Sequence, residues 1–448
     1  MSALQNYIES VKLNIEKKNS KKLKKLLTIN PGPDKAEERK NFPEPSEYDL
    51  YNLDKFAPVV QHYLRAVKSA YIARSHITCF ENLNQECISL IRASEQQDNW
   101  IMPVIINCFE ELILLYKIIE QRDPEDLNSI VFENEAEEGS GFAPTKTSRL
   151  QQLINTLMIG FNLSNNDKKL DVKLSKRNDV YFFLANLIRC YFKMGKLALV
   201  KSAINSLKSG NKPLPNMTQN VSTCKNAITY LYYQSLVSLD DGNYLESEES
   251  LNLAMSLIAN HKDKSSHQLE QILLILIPLK LYNRGEVPSS SVWQRFPRLK
   301  TMYCDNFLDA ICHGNLNKFE QCMNKYEVVL LKNHLYILME LLRQYAQLRI
   351  LNKSFTIISE LQSGETTTPI SAFKLALEFS CFYNENDADF KLDVSSRQIP
   401  DLEVETIIAN LITQGFIRGY VSNTNRVVVF SKSLPFPKVI EAKADGNN

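Results

Sequence analysis

An all-α chain, built as a TPR-like solenoid of helical hairpins and closed by a C-terminal winged helix, is the fold predicted by three features of these 448 residues. Apolar residues recur at helical spacing with little interruption from about residue 55. Three segments repeat one plan: an apolar helix, a glycine, and a returning amphipathic helix. Finally, two short β-rich runs follow the last helix, within "ITQGFIRGYVSNTNRVVVFSKSLPFP" (412–437). Only 13 residues are glycine, which favours helices over a turn-rich β fold, and the length suits two or three structural units.

Residues 1–54 read as an N-terminal basic helix and linker. In the helix at 7–27, Ile8, Val11, Ile15, Leu23, Leu26 and Leu27 share a face, and seven lysines lie between Lys12 and Lys25. Such a run is ordinarily a solvated face; nuclear targeting or a nucleic-acid patch is the functional alternative. The Pro- and charge-rich stretch 30–50 reads as the linker. The solenoid is expected over 55–300. It includes a long buried helix at 98–122, with Asp98 as N-cap and Pro103 in its first turns. An acidic, Gly- and Ser-containing surface loop is expected at 132–148.

The repeated hairpins lie at 184–207, 230–258 and 306–331, and turn at Gly195, Gly242 and Gly314. Glycine there accepts the left-handed conformation that ends a helix. The second hairpin has the Gly-x-Tyr spacing of a tetratricopeptide-like repeat. Hairpins of this kind bury their apolar faces by stacking, which makes a solenoid. The aromatic run "YLYYQ" (230–234) and Trp293 with Phe296 read as packing residues inside this frame.

A C-terminal domain is expected over 301–438, with its winged helix at 369–432 and a tail at 439–448. Within it, helices are expected at 369–383 and 399–417, then strands at 416–422 and 426–432 joined through "NTN" (423–425). From Thr406 to the end there are five basic residues (Arg418, Arg426, Lys432, Lys438, Lys443) against Glu441 and Asp445. The helix before the wing begins instead with Asp401, Glu403 and Glu405. Three carboxylates at that end oppose insertion into a nucleic-acid groove, which weighs the module toward protein assembly.

Enzymatic motifs are missing. The six histidines form no pair at i and i+4 and no His-x-His, and the only near approach to a metal motif is Cys312 beside His313, read as a core thiol and a surface imidazole. No GxSxG, GxxxxGK[ST] or GxGxxG occurs, so no catalytic, cofactor or metal residue and no small-molecule substrate is expected. Nine scattered cysteines without a CxxC pair read as reduced thiols of an intracellular protein. The first ten residues contain no apolar signal core, and no run approaches the ~20 apolar residues of a membrane span. A net charge of +1 confines any nucleic-acid surface to a local patch.

The stretches "DNWIMPV" (98–104), "ILIPLKLYNRGEVPS" (275–289), "FLDAICHGNLNKFE" (307–320) and "NLITQGFIRGYVSNTNRVVVFSKSLPFP" (410–437) resemble the PCI-domain family. The branch they resemble holds signalosome subunit twelve and the mRNA-export PCI protein. The resemblance implies that 301–438 is a PCI domain. It implies a non-catalytic scaffold subunit of the COP-nine signalosome or an associated assembly regulating cullin deneddylation in the ubiquitin pathway. It further implies pairing with another PCI-domain subunit and docking of a small acidic peptide like that of the proteasome lid. Val427, Val429 and Phe430 are the expected partner-interface positions. The alternative is a nucleic-acid-binding subunit of a nuclear mRNA-export or transcription-coupled complex, contacting RNA or DNA through Arg349, Lys353, Arg418, Arg426 and Lys432. Either role implies residence in nucleus and cytoplasm, without a membrane.

Overall fold

Gly195, Gly242 and Gly314 each take a positive φ, of 68°, 75° and 70°, and each lies between two helices. The three turns read from the sequence are therefore the hairpin turns of the fold. The structure is a computed structural model that describes residues 3–29, 36–124, 148–169, 171, 174–209, 214–259, 266–362, 366–382 and 398–445. Most of the expected acidic loop at 132–148 lies outside the described residues; Ser148 begins them again as the N-cap of the next helix. The chain divides into two units, Met1–Tyr230 and Leu231–Asn448, so the expected solenoid at 55–300 is shared between them.

The first unit holds α1 (Ala3–Glu16), α2 (Ser20–Leu26), α3 (Glu47–Leu50), α4 (Ala57–Tyr71), α5 (His76–Ser94), α6 (Met102–Arg122), α7 (Arg149–Asn165), α8 (Val180–Lys193) and α9 (Leu197–Lys208). It also takes the first half of α10 (Val221–Asp240). Sequential neighbours pack: α4 on α5, α5 on α6, α7 on α8. Tyr63, Phe80, Phe109 and Phe183 are wholly buried, and Phe109 meets Phe183 edge to face at 5.2 Å. The helix expected at 7–27 is two helices. Lys18 takes a φ of 49°, and the Asn19 side chain accepts from the Lys22 amide at 3.2 Å, starting α2 afresh.

Part of the expected linker is core. Arg39 is 7% exposed, donating to the Tyr63 hydroxyl at 2.6 Å and the Leu26 carbonyl at 2.7 Å. The Tyr63 hydroxyl donates in turn to the Thr28 carbonyl, and the Glu111 carboxylate accepts from the Ile29 amide. A buried cation and a carboxylate thus tie main chain 25–29 to α4 and α6, where no helix or strand could satisfy those groups. Asp98 makes no capping bond to the helix after it. Its carboxylate pairs with Lys169 and Lys18, which together hold its pKa down at about 2.

The second unit continues with α11 (Tyr244–Ala259), α12 (Ser266–Arg284), α13 (Ser290–Arg295), α14 (Pro297–Leu299), α15 (Asp309–His313), α16 (Leu316–Lys332) and α17 (Tyr336–Leu361). A π-helical stretch, Lys300–Leu308, joins α14 to α15. β1 (Thr367–Pro369), α18 (Ile370–Phe382), α19 (Asp401–Thr413), β2 (Gly419–Ser422), β3 (Val427–Phe430) and α20 (Val439–Asp445) complete it. The expected tail is therefore largely a helix, with Ala442 fully buried. Trp293 is a buried packing residue at 8% exposure. Cys312, expected in the core, is exposed. Among the described residues no helix is long and apolar enough to cross a membrane.

The turn between α15 and α16 is the tightest of the three. A Cβ at Gly314 would lie 3.0 Å from the Ile350 amide nitrogen and 3.2 Å from its Cα, whereas Gly195 and Gly242 face open space. The Ser380 hydroxyl of α18 donates to the Gly314 carbonyl at 2.5 Å and accepts from the Leu316 amide at 2.9 Å. Gly314→Ala is expected to cost about 1–3 kcal/mol for the left-handed backbone, plus the clash with α17. Gly195→Ala and Gly242→Ala should cost the backbone strain alone. Urea unfolding of the three variants checks the ordering, and equal losses would contradict it.

Candidate interaction surface

Alternation along "VVVF" decides the interior of the wing. Val428 and Phe430 are buried at 0% and 4% exposure, while Val427 and Val429 are half-exposed. Two residues apart, they share one face of a strand. Phe430 packs against Phe355 at 4.4 Å, Phe436 at 5.5 Å and Phe373 at 5.9 Å. Phe430 is thus a core residue of the module, and its expected place at a partner interface is corrected: its ring is spent on the helices behind the sheet. Val427 and Val429 lie on the other face of the strand.

The sheet has the order β1-β3-β2, antiparallel throughout, with Val428 opposite both Thr368 and Val421. β3 is therefore the central strand. β1 went unread in the sequence, because "TTP" is too short to show alternation and Pro369 read as a helix start. Proline is tolerated on such an edge strand because the sheet needs no N–H from it there. At the base of the hairpin, the Arg418 amide donates to the Pro435 carbonyl at 2.9 Å and the Ser431 amide to the Arg418 carbonyl at 2.8 Å. The Pro-Phe-Pro ending thus folds back onto the wing. A Cβ at Gly419 would lie 2.3 Å from the Val429 carbonyl oxygen, so β2 can begin only with glycine at that spacing. Gly415, at a φ of 79°, closes α19 as expected; the helix itself ends at Thr413.

The five basic positions differ in what they contact. Arg349 donates to the Cys312 carbonyl at 3.1 Å and Lys353 to the His313 carbonyl at 2.9 Å. Both side chains, one turn apart on α17, satisfy carbonyls at the C-terminus of α15, where cations also favour the helix dipole. Arg418 and Lys432 are exposed at the hairpin base. Arg426 stands at the tip, about 13 Å away by strand rise, and donates to Asp401 at 3.3 Å. Asp401 also accepts from Lys374 at 2.8 Å, and this bond, with Arg426 beyond it, holds the carboxyl below its usual range.

Several residues left exposed on the module are apolar. Leu375 and Phe379, one turn apart on α18, are 57% and 44% exposed; Leu402 on α19 is 75% and Tyr420 on β2 is 61%. These residues were missed in the sequence. The available sign was that "ISAFKLALEFSCF" is apolar on two faces, and one face suffices for the core it covers. Among the described residues no strand pairs with the outer edge of β2. Nor does any group of three or more His, Cys, Asp or Glu converge as for a metal ion.

A family model described as PCI domain matches residues 388–432, which include α19 and the wing. The chain is 43% identical over 444 residues to a Protein CSN12 homolog of Debaryomyces hansenii, covering 97% of this chain and 98% of that one. It is 24% identical to a COP9 signalosome complex subunit 12 of Eremothecium gossypii, covering 81% and 84%. To a PCI domain-containing protein 2 homolog of Drosophila melanogaster it is 26% identical, covering 81% and 80%. With a helical solenoid, a winged helix and a full-length relative at this identity, the chain belongs to the CSN12 family of PCI-domain proteins.

Proposed function

We propose that this chain is a non-catalytic scaffold subunit of a COP9-signalosome-type assembly, or of one associated with it, serving cullin deneddylation in the ubiquitin pathway. Its winged helix pairs with a second PCI-domain subunit, and a small acidic peptide like that of the proteasome lid docks nearby. The observation that carries the reading is the exposed apolar set Leu375, Phe379, Leu402 and Tyr420 on a module whose lead helix is acidic. Apolar and aromatic residues at that exposure suit a protein partner better than a phosphate backbone. The names of the CSN12 and COP9 signalosome relatives support the choice of assembly. Residence in nucleus and cytoplasm is part of the same proposal.

The test is affinity purification of the tagged chain at moderate salt, with partners identified by mass spectrometry with and without nuclease. Signalosome subunits recovered regardless of nuclease, and lost from a Leu375→Ser/Phe379→Ser/Leu402→Ser variant, are the expected result. Recovery of an mRNA-export scaffold in a nuclease-sensitive manner would overturn the reading in favour of nucleic-acid binding. Arg418 and Lys432, the exposed cations at the hairpin base, would then be the residues to reverse. Arg349 and Lys353 suit that purpose less well, since their loss also uncaps α15.

A further inference from the structure

Two sulfurs meet in the core of the N-terminal unit. Cys87 on α5 and Cys108 on α6 lie 21 positions apart in the chain and 3.2 Å apart in space. The two residues are 0% and 2% exposed. Their spacing is far from that of a CxxC pair, so the sequence gave no sign of them. Core cysteines ordinarily serve as small apolar groups, and two others bond to oxygen: Cys79 donates to the Ala66 carbonyl at 3.6 Å and Cys322 to the Asn306 side chain at 3.7 Å. Between Cys87 and Cys108 the contact is sulfur to sulfur. A disulfide bond is about 2.05 Å long, so forming one asks two helices that already pack to approach by about 1 Å. The reacting atoms already sit at the separation of a near-attack arrangement.

The two thiols are not equivalent. Burial raises the Cys87 thiol, the hydrogen bond from Cys108 draws it back down, and Glu86 and Glu111 push it up again. For Cys108 that same bond raises the thiol, and burial raises it further. Cys87 is therefore the first sulfur to ionise, and Cys108 is placed to resolve what forms on it. The charged groups acting on the pair are carboxylates, so attack is slow and a small neutral oxidant is needed. Hydrogen peroxide, neutral and close to water in size, reaches such a site during local opening.

We propose that Cys87 and Cys108 form an oxidisable dithiol site, which a hydroperoxide converts into a disulfide joining α5 to α6; the site is independent of the scaffold role. The Cys87 sulfur attacks one peroxide oxygen. The O–O bond breaks, and the thiol proton leaves with the departing hydroxide as water. The Cys108 sulfur then attacks the sulfenic acid on Cys87. The S–O bond breaks, the S–S bond forms, and the Cys108 proton joins the second hydroxide as water. One hydrogen peroxide is thus reduced by two electrons, which the two thiols supply. The cross-link acts where the N-terminal segment is held. Glu111, one turn beyond Cys108 on α6, accepts from the Ile29 amide at 3.0 Å, so oxidation fixes the mount of that segment against α5.

The experiment treats the folded full-length chain with hydrogen peroxide, alkylates the remaining thiols in urea, and maps the peptides without reductant. A linked Cys87–Cys108 peptide, about 2 Da lighter than the two thiol peptides together, is the expected product, and dithiothreitol should reverse it. The exposed Cys312 reports that the oxidant has acted. Cys108→Ala should trap Cys87 as a sulfenic acid, captured by dimedone, whereas Cys87→Ala should leave Cys108 unoxidised over the same time. The wild-type map stands whether or not either variant folds. Closing a loop of this length should raise the unfolding midpoint by roughly 5–10 °C. Both thiols recovered alkylated while Cys312 is oxidised, a cross-link that forms only when urea precedes the peroxide, or a midpoint lowered by the cross-link would each overturn the proposal.

Discussion

Phe430→Ala is expected to destabilise the C-terminal unit by about 3–5 kcal/mol, the usual cost of deleting a buried aromatic ring. Its ring is only 4% exposed and joins Phe355 and Phe373 on two helices to Phe436 in the returning chain, all within 6 Å between centroids. Removing it takes away the contact that holds the sheet onto α17 and α18 and leaves a cavity among groups too constrained to collapse. For a unit of this size the unfolding midpoint should fall by roughly 6–20 °C. Partner capture should fall with it, as a consequence of unfolding. Tyr420→Ser and Leu402→Ser should leave the unfolding free energy within about 0.5 kcal/mol of wild type, because both residues are exposed. Thermal unfolding followed by circular dichroism makes the comparison. A Phe430→Ala protein as stable as wild type would remove Phe430 from the core assigned to it.

Replacing Glu86 with glutamine is expected to remove a pH dependence of stability that wild type shows as pH rises above the ordinary carboxylate range. Glu86 lies wholly buried on α5, and neither carboxyl oxygen has a hydrogen-bond partner of normal geometry. Burial raises its pKa well above the ordinary carboxylate value; the neighbouring Cys108 thiol and Glu111 carboxylate push the same way. Tyr7, Tyr63, Cys79 and Cys87 complete the surroundings, and the Cys87 and Cys108 sulfurs lie 3.2 Å apart. The folded protein therefore keeps a proton that the unfolded chain loses above the ordinary value of about 4.5. Between that value and the raised folded pKa the folded state binds more protons than the unfolded state. Stability then falls as pH rises, by up to about 1.4 kcal/mol per pH unit. Below pH 4.5 both states hold the proton and the term disappears. Asp179, raised by burial to about 6, adds the same trend over a lower window, so the measured quantity is the difference between wild type and Glu86→Gln. Urea midpoints compared from pH 5 upward should diverge in favour of the variant as pH rises toward the raised folded pKa. Parallel curves would mean that Glu86 is charged in the folded protein.

Much of the architecture was legible without coordinates because it rests on local chemistry. The 3.6-residue period, the glycines at 195, 242, 314 and 415, and the strand pair around "NTN" each specify a conformation within a few residues. What local chemistry misplaced involved partners distant in sequence. The N-terminal helix breaks where Asn19 offers a better cap than continuation would. The linker became core because Arg39 found Tyr63 and the carbonyls of 25–26. β1 exists only because β3, some sixty residues later, supplies its pairing.

The same division runs through the candidate surfaces. Sequence alone determined that this chain carries a helical solenoid with a winged helix, that no metal-ligating or nucleophilic motif is written in it, and that its charge is balanced overall. Tertiary structure decided which side chains remain for other molecules. It drew Phe430 inward, set Arg349 and Lys353 on a helix end, paired Arg426 with Asp401, and left Leu375, Phe379 and Leu402 outside. Identity and spacing record which groups a chain possesses, whereas burial and hydrogen-bond partners are set by residues brought together from elsewhere, and those decide whether a group is spent on the fold or available to a partner.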